Sequence, residues 1–312
     1  MLDVYKSTDT GLENVNVIED GVWINLTDPT EEEIEFVLTA IDMEKDFLTA
    51  ALDEEERPRI EADKDRGNIL IVADIPLLEI SDNSRRYETY PLGIIYTPMA
   101  IITVCLKENL IMSDFCSNAV KTFYTYKKSR FILQILYKIS VLYLQYLKQI
   151  DRLSSSIEIE LHKSMKNKEL IQLMDLEKSL VYFSTALKSN EIVLERLQRH
   201  DFLQKYEEDL ELLSDTIIEN KQAIEMAKIY SDILAGTMDA FASIISNNLN
   251  IVMQFLTSVT IIMAIPAMVS GFFGMNVPIP MESNPYGFAY VMGITVLICA
   301  VVAFIMAKKK LF

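Results

Sequence analysis

The C-terminal part of the chain contains two long stretches without a charged side chain. The first runs from Ala240 to Met281 and the second from Asn284 to Ala307. Of the 45 acidic residues, only Asp239 and Glu282 lie beyond position 238. Apolar segments of this length can cross a bilayer, whereas an acidic segment needs water. The sequence therefore predicts an acidic soluble body followed by a C-terminal membrane anchor.

Each stretch is long enough for one helix across the hydrocarbon core. The first predicted crossing, 251–273, has a helical length of roughly 34 Å, and the core is about 30 Å thick. The second is 286–307, and three lysines open the tail 308–312 directly after it. Basic residues beside a crossing favour the cytosolic side. We therefore expect both termini in the cytosol and only the loop 274–285 outside.

Residues 1–118 show short β patterns mixed with helical ones. Branched apolar residues dominate Val22–Leu26, Ile69–Ile75 and Ala100–Leu106, a composition typical of buried strands. These patterns predict a cytosolic α/β domain.

A helix-start signature follows the first of these segments. Thr27, Asp28 and Thr30 can cap a helix that opens with Glu31–Glu33, whose charges face the positive end of the helix dipole. We expect a helix from Glu31 onward.

The region that follows has almost no glycine or proline, with Gly236 the only one of either. Leucine, isoleucine, lysine and glutamate dominate, which favours long helices. Breaks near Met165 and Gln204 predict a helical hairpin at 119–205 and a stalk helix at 206–250 that continues into the first crossing.

Composition argues against several functional classes. Cys105, Cys116 and Cys299 are too scattered for a disulfide framework or a zinc site. Acidic residues outnumber basic ones by 45 to 29, which argues against nucleic-acid binding. His162 and His200 are the only histidines, and no phosphate-binding glycine loop or Ser-His-Asp arrangement stands out, so we expect no enzyme. The N-terminus also lacks the pattern of a signal peptide.

One face of the first crossing carries small or weakly polar residues at steps of three and four. Such a face suits the lining of a pore, and it equally suits close packing of membrane helices. A pore would need several copies around a ring axis, because one helix cannot surround it. The residues of this pore stripe are Asn250, Met253, Leu256 or Thr257, Thr260, Ala264, Ala267 and Gly271.

A Gly-Met-Asn tripeptide at 274–276 lies at the outer end of the first crossing. A short loop, a last helix and a basic tail follow it, and this arrangement resembles the CorA family. The resemblance continues in the N-terminal domain, in Trp23–Leu26, Pro29–Glu33 and Leu52–Glu61. It therefore covers essentially the whole chain.

Two details of the motif qualify the resemblance. Phe273 stands where a tyrosine often precedes the tripeptide in the family. The tripeptide itself is intact, whereas the related zinc-transporting branch typically carries Gly-Ile-Asn. The resemblance therefore implies magnesium rather than zinc as the transported ion.

The resemblance implies a homopentamer in the cell inner membrane. Its expected architecture is a cytosolic funnel of α/β domains, stalk helices that continue into five pore helices, and second helices outside them. It implies that Mg2+, with Co2+ or Ni2+ as further candidates, passes a selectivity filter formed by Gly274, Met275 and Asn276.

Magnesium chemistry agrees with neutral filter groups. Mg2+ dehydrates reluctantly, so a fast pathway should recognise the hydrated ion. Five Asn276 side chains could accept hydrogen bonds from its waters without holding it too tightly. Asn276 could instead cap the helix C-terminus. Glu282 in the outer loop is expected to concentrate cations, although a solvated loop acid fits it nearly as well.

Two kinds of gating residue are expected. Met253, Leu256 and Ala264 would form an apolar constriction on the stripe, which stops ions by dewetting. Asp239 lies three helical turns before Asn250, about 3.67 residues per turn, and so falls near the same stripe.

Asp232 is one heptad below Asp239, and a ring of such acids repels itself unless a cation intervenes. The resemblance implies that the acid at Asp239 pairs with one from a neighbouring N-terminal domain, for which Glu79 and Asp82 are the candidates. A solvated stalk acid is the alternative for Asp239.

Three other functions remain open at this stage. They are a tethered enzyme, a membrane-anchored divalent-cation sensor without transport, and a channel for Co2+, Ni2+ or Zn2+. No acid lies inside either crossing, so we expect passive flow driven by the membrane potential rather than a proton relay.

Overall fold

A computed structural model describes residues 1–8, 11–81, 84–117, 119–120, 122–164, 167–199, 206–275 and 285–309. The chain divides into two compact units, Met1–Gly236 and Thr237–Phe312. The first unit contains a seven-stranded sheet and the second consists of membrane-type helices.

The sheet of the first unit has the strand order β2-β1-β3-β7-β6-β5-β4. Among the strands of the described residues, β3 and β7 pair in parallel and the other neighbouring pairs are antiparallel. The three predicted strands are present as β3, β5 and β7, while four other strands were not predicted. The strands are β1 (Leu2–Thr8), β2 (Gly11–Asn14), β3 (Trp23–Thr27), β4 (Arg59–Asp63), β5 (Asn68–Ser81), β6 (Ser84–Tyr96) and β7 (Ile101–Cys105).

One aliphatic core is formed by residues of the sheet together with residues of α1 (Glu31–Ala40) and α2 (Lys45–Thr49). The predicted start of α1 is confirmed. The Thr30 side chain accepts from the Glu33 backbone N–H, and the Glu33 side chain accepts from the Thr30 N–H, which is a capping box. The helix α1 contains no glycine, and its buried residues are Ile34 and Val37.

An aromatic cluster surrounds Trp23 of β3, beside α3 (Leu110–Cys116) and α4 (Lys128–Ser164). The rings of Phe115, Phe123 and Phe131 lie at 5.2 to 6.4 Å from its ring. The indole N–H of Trp23 donates to the hydroxyl of Thr103, so burial leaves no polar group of this ring unpaired.

The hairpin of β5 and β6 is long, with pairing from Ile69–Tyr96 to Ser81–Ser84. Outer parts of both strands lack a second strand partner, and α5 (Asn167–Leu197) packs there. The side chain of Ser179 accepts from the backbone N–H of Tyr87 at 3.2 Å. A helix side chain thus replaces a missing sheet hydrogen bond.

The sixth helix, α6, runs from Glu207 to Phe273 without a break, and α7 is Gly287–Lys308. Within the first unit, one side of α6 is buried at steps of three and four, through Leu213, Thr216, Asn220, Ala223 and Ala227.

The other side of α6 exposes Ile218, Ile229 and Ile233. Each of these side chains is more than half exposed, and the exposed Gln222 and Glu225 lie between them on the same side of the helix.

Candidate ion pathway

Two helices among the described residues are long and apolar enough to cross a membrane, α6 through its C-terminal part and α7. Within one chain, only 6% of the residues in the most apolar window of each helix are buried. Such surface needs lipid or other protein chains around it.

The two helices meet along a narrow seam. On α6, buried or half-buried positions recur at steps of three and four, and on α7 the same spacing appears. The seam residues are Ser258, Ile262, Ile265 and Val269 on α6, and Val291, Thr295, Cys299, Val302, Ala303 and Met306 on α7. The sulfur of Cys299 lies 3.8 Å from the backbone oxygen of Ile262.

The predicted pore stripe lies away from this seam. Thr260 and Ala264 each differ by two positions from Ile262, which corresponds to roughly 200° around an α-helix. All seven stripe positions, from Asn250 to Gly271, are exposed, and a methyl group added at Gly271 would meet no atom within 4 Å. The stripe is therefore free to line a pathway.

The apolar members of the stripe are strongly exposed. Met253 is 53% and Leu256 is 57% exposed in the single chain. Large apolar side chains on an otherwise small, weakly polar face favour a narrow constriction when copies come together. The hydroxyl of Thr260 donates to the carbonyl of Leu256 at 2.8 Å, so its oxygen remains available as an acceptor.

The tripeptide begins where α6 ends. The backbone N–H of Gly274 donates to the carbonyl of Ser270 at 2.9 Å, and that of Met275 to Phe272 at 3.4 Å. Gly274 does not have a left-handed backbone. A β-carbon there would instead lie 3.2 Å from the Ser270 oxygen, so close packing is what favours glycine. Asn276 of the predicted filter and Glu282 of the loop lie outside the described residues.

The predicted gating acids of α6 are both exposed. Asp232 lies in the first unit and Asp239 in the second, and the Asp239 carbonyl accepts the Ser243 hydroxyl at 3.0 Å. No group of three or more His, Cys, Asp or Glu residues within the described ranges is arranged to hold a metal ion. A site built from Asp239 would therefore need carboxylates of other copies.

Glu79 has partners in its own unit. Its carboxylate accepts the Tyr90 hydroxyl at 3.2 Å and lies 3.8 Å from the Lys107 ammonium. Burial, followed by the negative charges of Glu79, Glu88 and Glu54, raises the pKa of Tyr90. Sequence reasoning missed Tyr90 and Lys107, because the pairing of β5 with β6 and of β6 with β7 brings them near Glu79. Asp82 lies outside the described residues.

A cavity of about 820 Å³ lies in the first unit, between the starts of α4 and α6. Arg130 on α4 binds the carboxylates of Glu208 at 2.9 Å and Asp209 at 3.4 Å. Desolvation raises the pKa of Asp209 even though Arg130 opposes this. His162 is exposed, 4.0 Å from Glu158, as expected for a helix-surface residue, and His200 lies outside the described residues.

Fold and site together define an integral membrane protein in which one helix continues from an α/β unit into the membrane. Residues 19–309 match the family described as CorA-like Mg2+ transporter protein. The chain therefore belongs to the CorA family. The recognition made from the sequence is confirmed, and this is a family of transporters rather than enzymes.

Known relatives agree with this membership. The cobalt/magnesium transport protein CorA of Methanocaldococcus jannaschii is 29% identical over an alignment 304 residues long, gaps included, that covers 92% of this chain and 90% of that protein. The complete structure of the CorA magnesium transporter from that organism has a TM-score of 0.84 and 26% identity, and covers 99% of this chain and 98% of the other. The predicted fold class is confirmed.

A more distant structure shows the fold alone. The cytoplasmic domain of ZntB from Vibrio parahaemolyticus has a TM-score of 0.58 at 11% identity, and covers 80% of this chain and 97% of that domain. The shared fold says nothing about which metal this chain moves.

Proposed function

We propose that the chain forms a homopentameric channel in the cell inner membrane that conducts hydrated Mg2+ into the cytosol and closes when intracellular Mg2+ is high. The observation that carries this proposal is the pore stripe. It is exposed along its whole length, it lies opposite the α7 seam, and it leads to Gly274 at the start of the tripeptide.

The free apolar surface supports assembly from several copies. Ile218, Ile229 and Ile233 are exposed on α6 in the first unit, and the stripe leaves a face free in the second. A single chain can neither cover these isoleucines nor enclose a pathway with one helix, whereas copies arranged around a ring axis can do both.

The filter would recognise the hydrated ion through neutral oxygen atoms. Met275 and Asn276 follow the last turn of α6, and five copies would bring five amide oxygens to one axis. Neutral acceptors bind coordinated water without the strong attraction that would stop a divalent ion from leaving. Glu282 would raise the cation concentration at the outer mouth.

Closure would combine dewetting with charge. Met253, Leu256 and Ala264 would form the apolar constriction, and Asp239 and Asp232 would form rings of like charge on the cytosolic side. Bound Mg2+ would relieve their repulsion and hold the subunits together, as would Mg2+ between Asp239 and Glu79 or Asp82 of a neighbour. Lys107 beside Glu79 would have to release that carboxylate.

Metal uptake by the purified protein in liposomes tests the proposal. An entrapped Mg2+-sensitive dye should report uptake driven by an inside-negative potential, and liposomes without protein should show none. Binding of Mg2+ without flux would identify a membrane-anchored sensor instead. Uptake that follows a pH gradient at zero membrane potential would contradict passive flow. Chemical cross-linking should end at five chains.

Co2+ is the second candidate ion. It is favoured by one observation, the cobalt/magnesium name of the relative from Methanocaldococcus jannaschii. Competition of Co2+, Ni2+ and Zn2+ with Mg2+ in the same liposomes ranks the ions. Stronger uptake of Zn2+ than of Mg2+ would contradict the significance given to the Gly-Met-Asn tripeptide.

A further inference from the structure

A proline interrupts the hydrogen-bond ladder of the proposed pore helix. Pro266 lies inside α6 and has no backbone N–H, so it cannot donate to the carbonyl of Ile262, four residues earlier. In hydrocarbon, water cannot replace such a bond, and an unpaired carbonyl costs free energy. The position of this carbonyl within a predicted crossing makes a substitute donor valuable.

The thiol of Cys299 on α7 is placed to be that donor. Its sulfur is 3.8 Å from the Ile262 oxygen, a distance that the large radius of sulfur allows for a weak hydrogen bond. Cys299 belongs to the seam, and both helices lie in the same compact unit. The carbonyl freed by Pro266 therefore faces the one thiol of this seam.

We infer that Cys299 is a positioning residue. Its S–H donates to the Ile262 carbonyl and holds α7 against α6 where Pro266 leaves the helix without a backbone hydrogen bond. The inference rests on the proposed pore role of α6. Ala264 and Ala267 flank Pro266 on the pore stripe, so a change of the helix at this point moves the lining directly. The bond would limit the conformations available at the break and favour the closed ring.

Infrared spectroscopy tests the bond without any flux measurement. The S–H stretching band lies in a region free of other protein bands, and it falls in frequency when the thiol donates. The band of Cys299 is isolated by subtracting the spectrum of Cys299→Ala. We expect a lowered frequency in the parent and a less lowered one in Pro266→Ala, where the backbone N–H gained by the substitution shares the Ile262 carbonyl with the thiol. A free-thiol frequency in the parent would overturn the inference.

A double-mutant cycle tests the consequence for transport. Cys299→Ala should raise basal Mg2+ flux at high internal Mg2+ by about two- to fivefold, the change expected from one weak hydrogen bond. In the Pro266→Ala background the same substitution should change flux by less than about 1.5-fold, close to the assay error. An equal effect in both backgrounds would mean that Cys299 acts by packing and would overturn the inference.

Two controls keep the outcomes distinct. Cys299→Ser keeps a donor and should restore at least part of the closed state, whereas Thr295→Ala changes the same seam one turn away without touching the Ile262 carbonyl. If Cys299→Ala does not assemble, Cys299→Val, which also removes the donor, serves in its place in the cycle. A parent protein without flux would overturn the proposed function, while the S–H band would still decide whether the bond exists.

Discussion

Asn190 of α5 binds the backbone of Asp74 in β5 through both atoms of its side-chain amide. It donates to the Asp74 carbonyl at 2.8 Å and accepts from the Asp74 N–H at 2.9 Å. Tyr143 of α4 donates to the same carbonyl at 3.2 Å. These bonds fasten the helical hairpin to the long β hairpin, in the place where β5 lacks a second strand partner.

The Asp74 carboxyl makes the stability of this junction depend on pH. Burial raises the pKa of Asp74 to about 7. Since this folded-state value is above that of the unfolded chain, about 4, stability is greatest below about pH 4 with respect to this group and falls as pH rises to about 7. Above about pH 7 the loss of folding stability caused by the ionised Asp74 carboxylate stays constant.

Asp74→Asn should therefore stabilise the protein at about pH 8 by up to about 4 kcal/mol and have little effect near pH 4. Thermal unfolding of the protein in detergent at both pH values measures this difference. Asp65→Asn, at an exposed position in the β4–β5 turn, is the matched control and should show no such change. An equal effect of Asp74→Asn at the acidic and the alkaline pH would contradict the assignment.

Arg130 should stabilise the start of α6 through Asp209. The Asp209 side chain is only 4% exposed, so Arg130→Ala would leave a buried carboxylate without its cation. We expect a loss of about 1–3 kcal/mol in the free energy of unfolding, below the range for fully buried pairs because Arg130 is partly exposed.

The double variant Arg130→Ala with Asp209→Asn should recover part of that loss, because no charge is then left unpaired. Thermal unfolding at mildly alkaline pH measures both. A double variant less stable than the single one would show that the two side chains do not depend on each other.

Strong local patterns predicted the fold elements that they specify. The charge-free stretches indicated both crossings, and Thr30 with Glu33 indicated the start of α1. The strands β4 and β6 were missed because their residues alternate poorly: β6 contains Ser84, Arg85 and Arg86 in sequence. Their strand conformation comes from pairing with β5.

For the candidate site too, local patterns predicted some features, whereas others depend on contacts between distant parts of the chain. Periodicity along one helix predicted which residues share a face, because faces of a helix follow from spacing alone, and the pore role of that face stays a prediction. The contact of Cys299 with Ile262 joins residues 37 positions apart, and the contact of Tyr90 with Glu79 needs the hairpin register. Neither is contained in a single local pattern. The role of Asn276 and the partners of Asp239 stay predictions.

Asn276 should be the residue least tolerant of change. Asn276→Ala removes the amide oxygen proposed to bind the hydrated ion and leaves the α6 helix able to form, so Mg2+ uptake should fall at least tenfold with assembly intact. Gly274→Ala should be nearly as harmful, since its β-carbon would crowd the Ser270 carbonyl. Normal uptake by an assembled Asn276→Ala protein would remove the filter assignment.

Leu256 should hold the closed pore dry. Leu256→Ser should raise basal flux severalfold at high internal Mg2+, because a polar ring no longer dewets. Val259→Ser is the matched control, since Val259 is exposed near the same depth and lies on neither the stripe nor the seam. Equal leaks from both variants would indicate general loosening of the helix, and no leak from Leu256→Ser would indicate packing against neighbouring helices.

Asp239 should couple internal Mg2+ to closure. Its side chain is exposed on α6, so a single chain does not neutralise it by burial or, within the described residues, by a metal cluster. Copies around an axis would repel one another unless Mg2+ binds between them. Asp239→Ala and Asp239→Lys should therefore raise flux at high internal Mg2+ and abolish the protection that Mg2+ gives α6 against proteolysis. Glu211→Ala, at an exposed acid near the start of the same helix, should preserve both properties. Retained protection in both Asp239 variants would mean that Asp239 is surface charge and that the regulatory ion binds elsewhere.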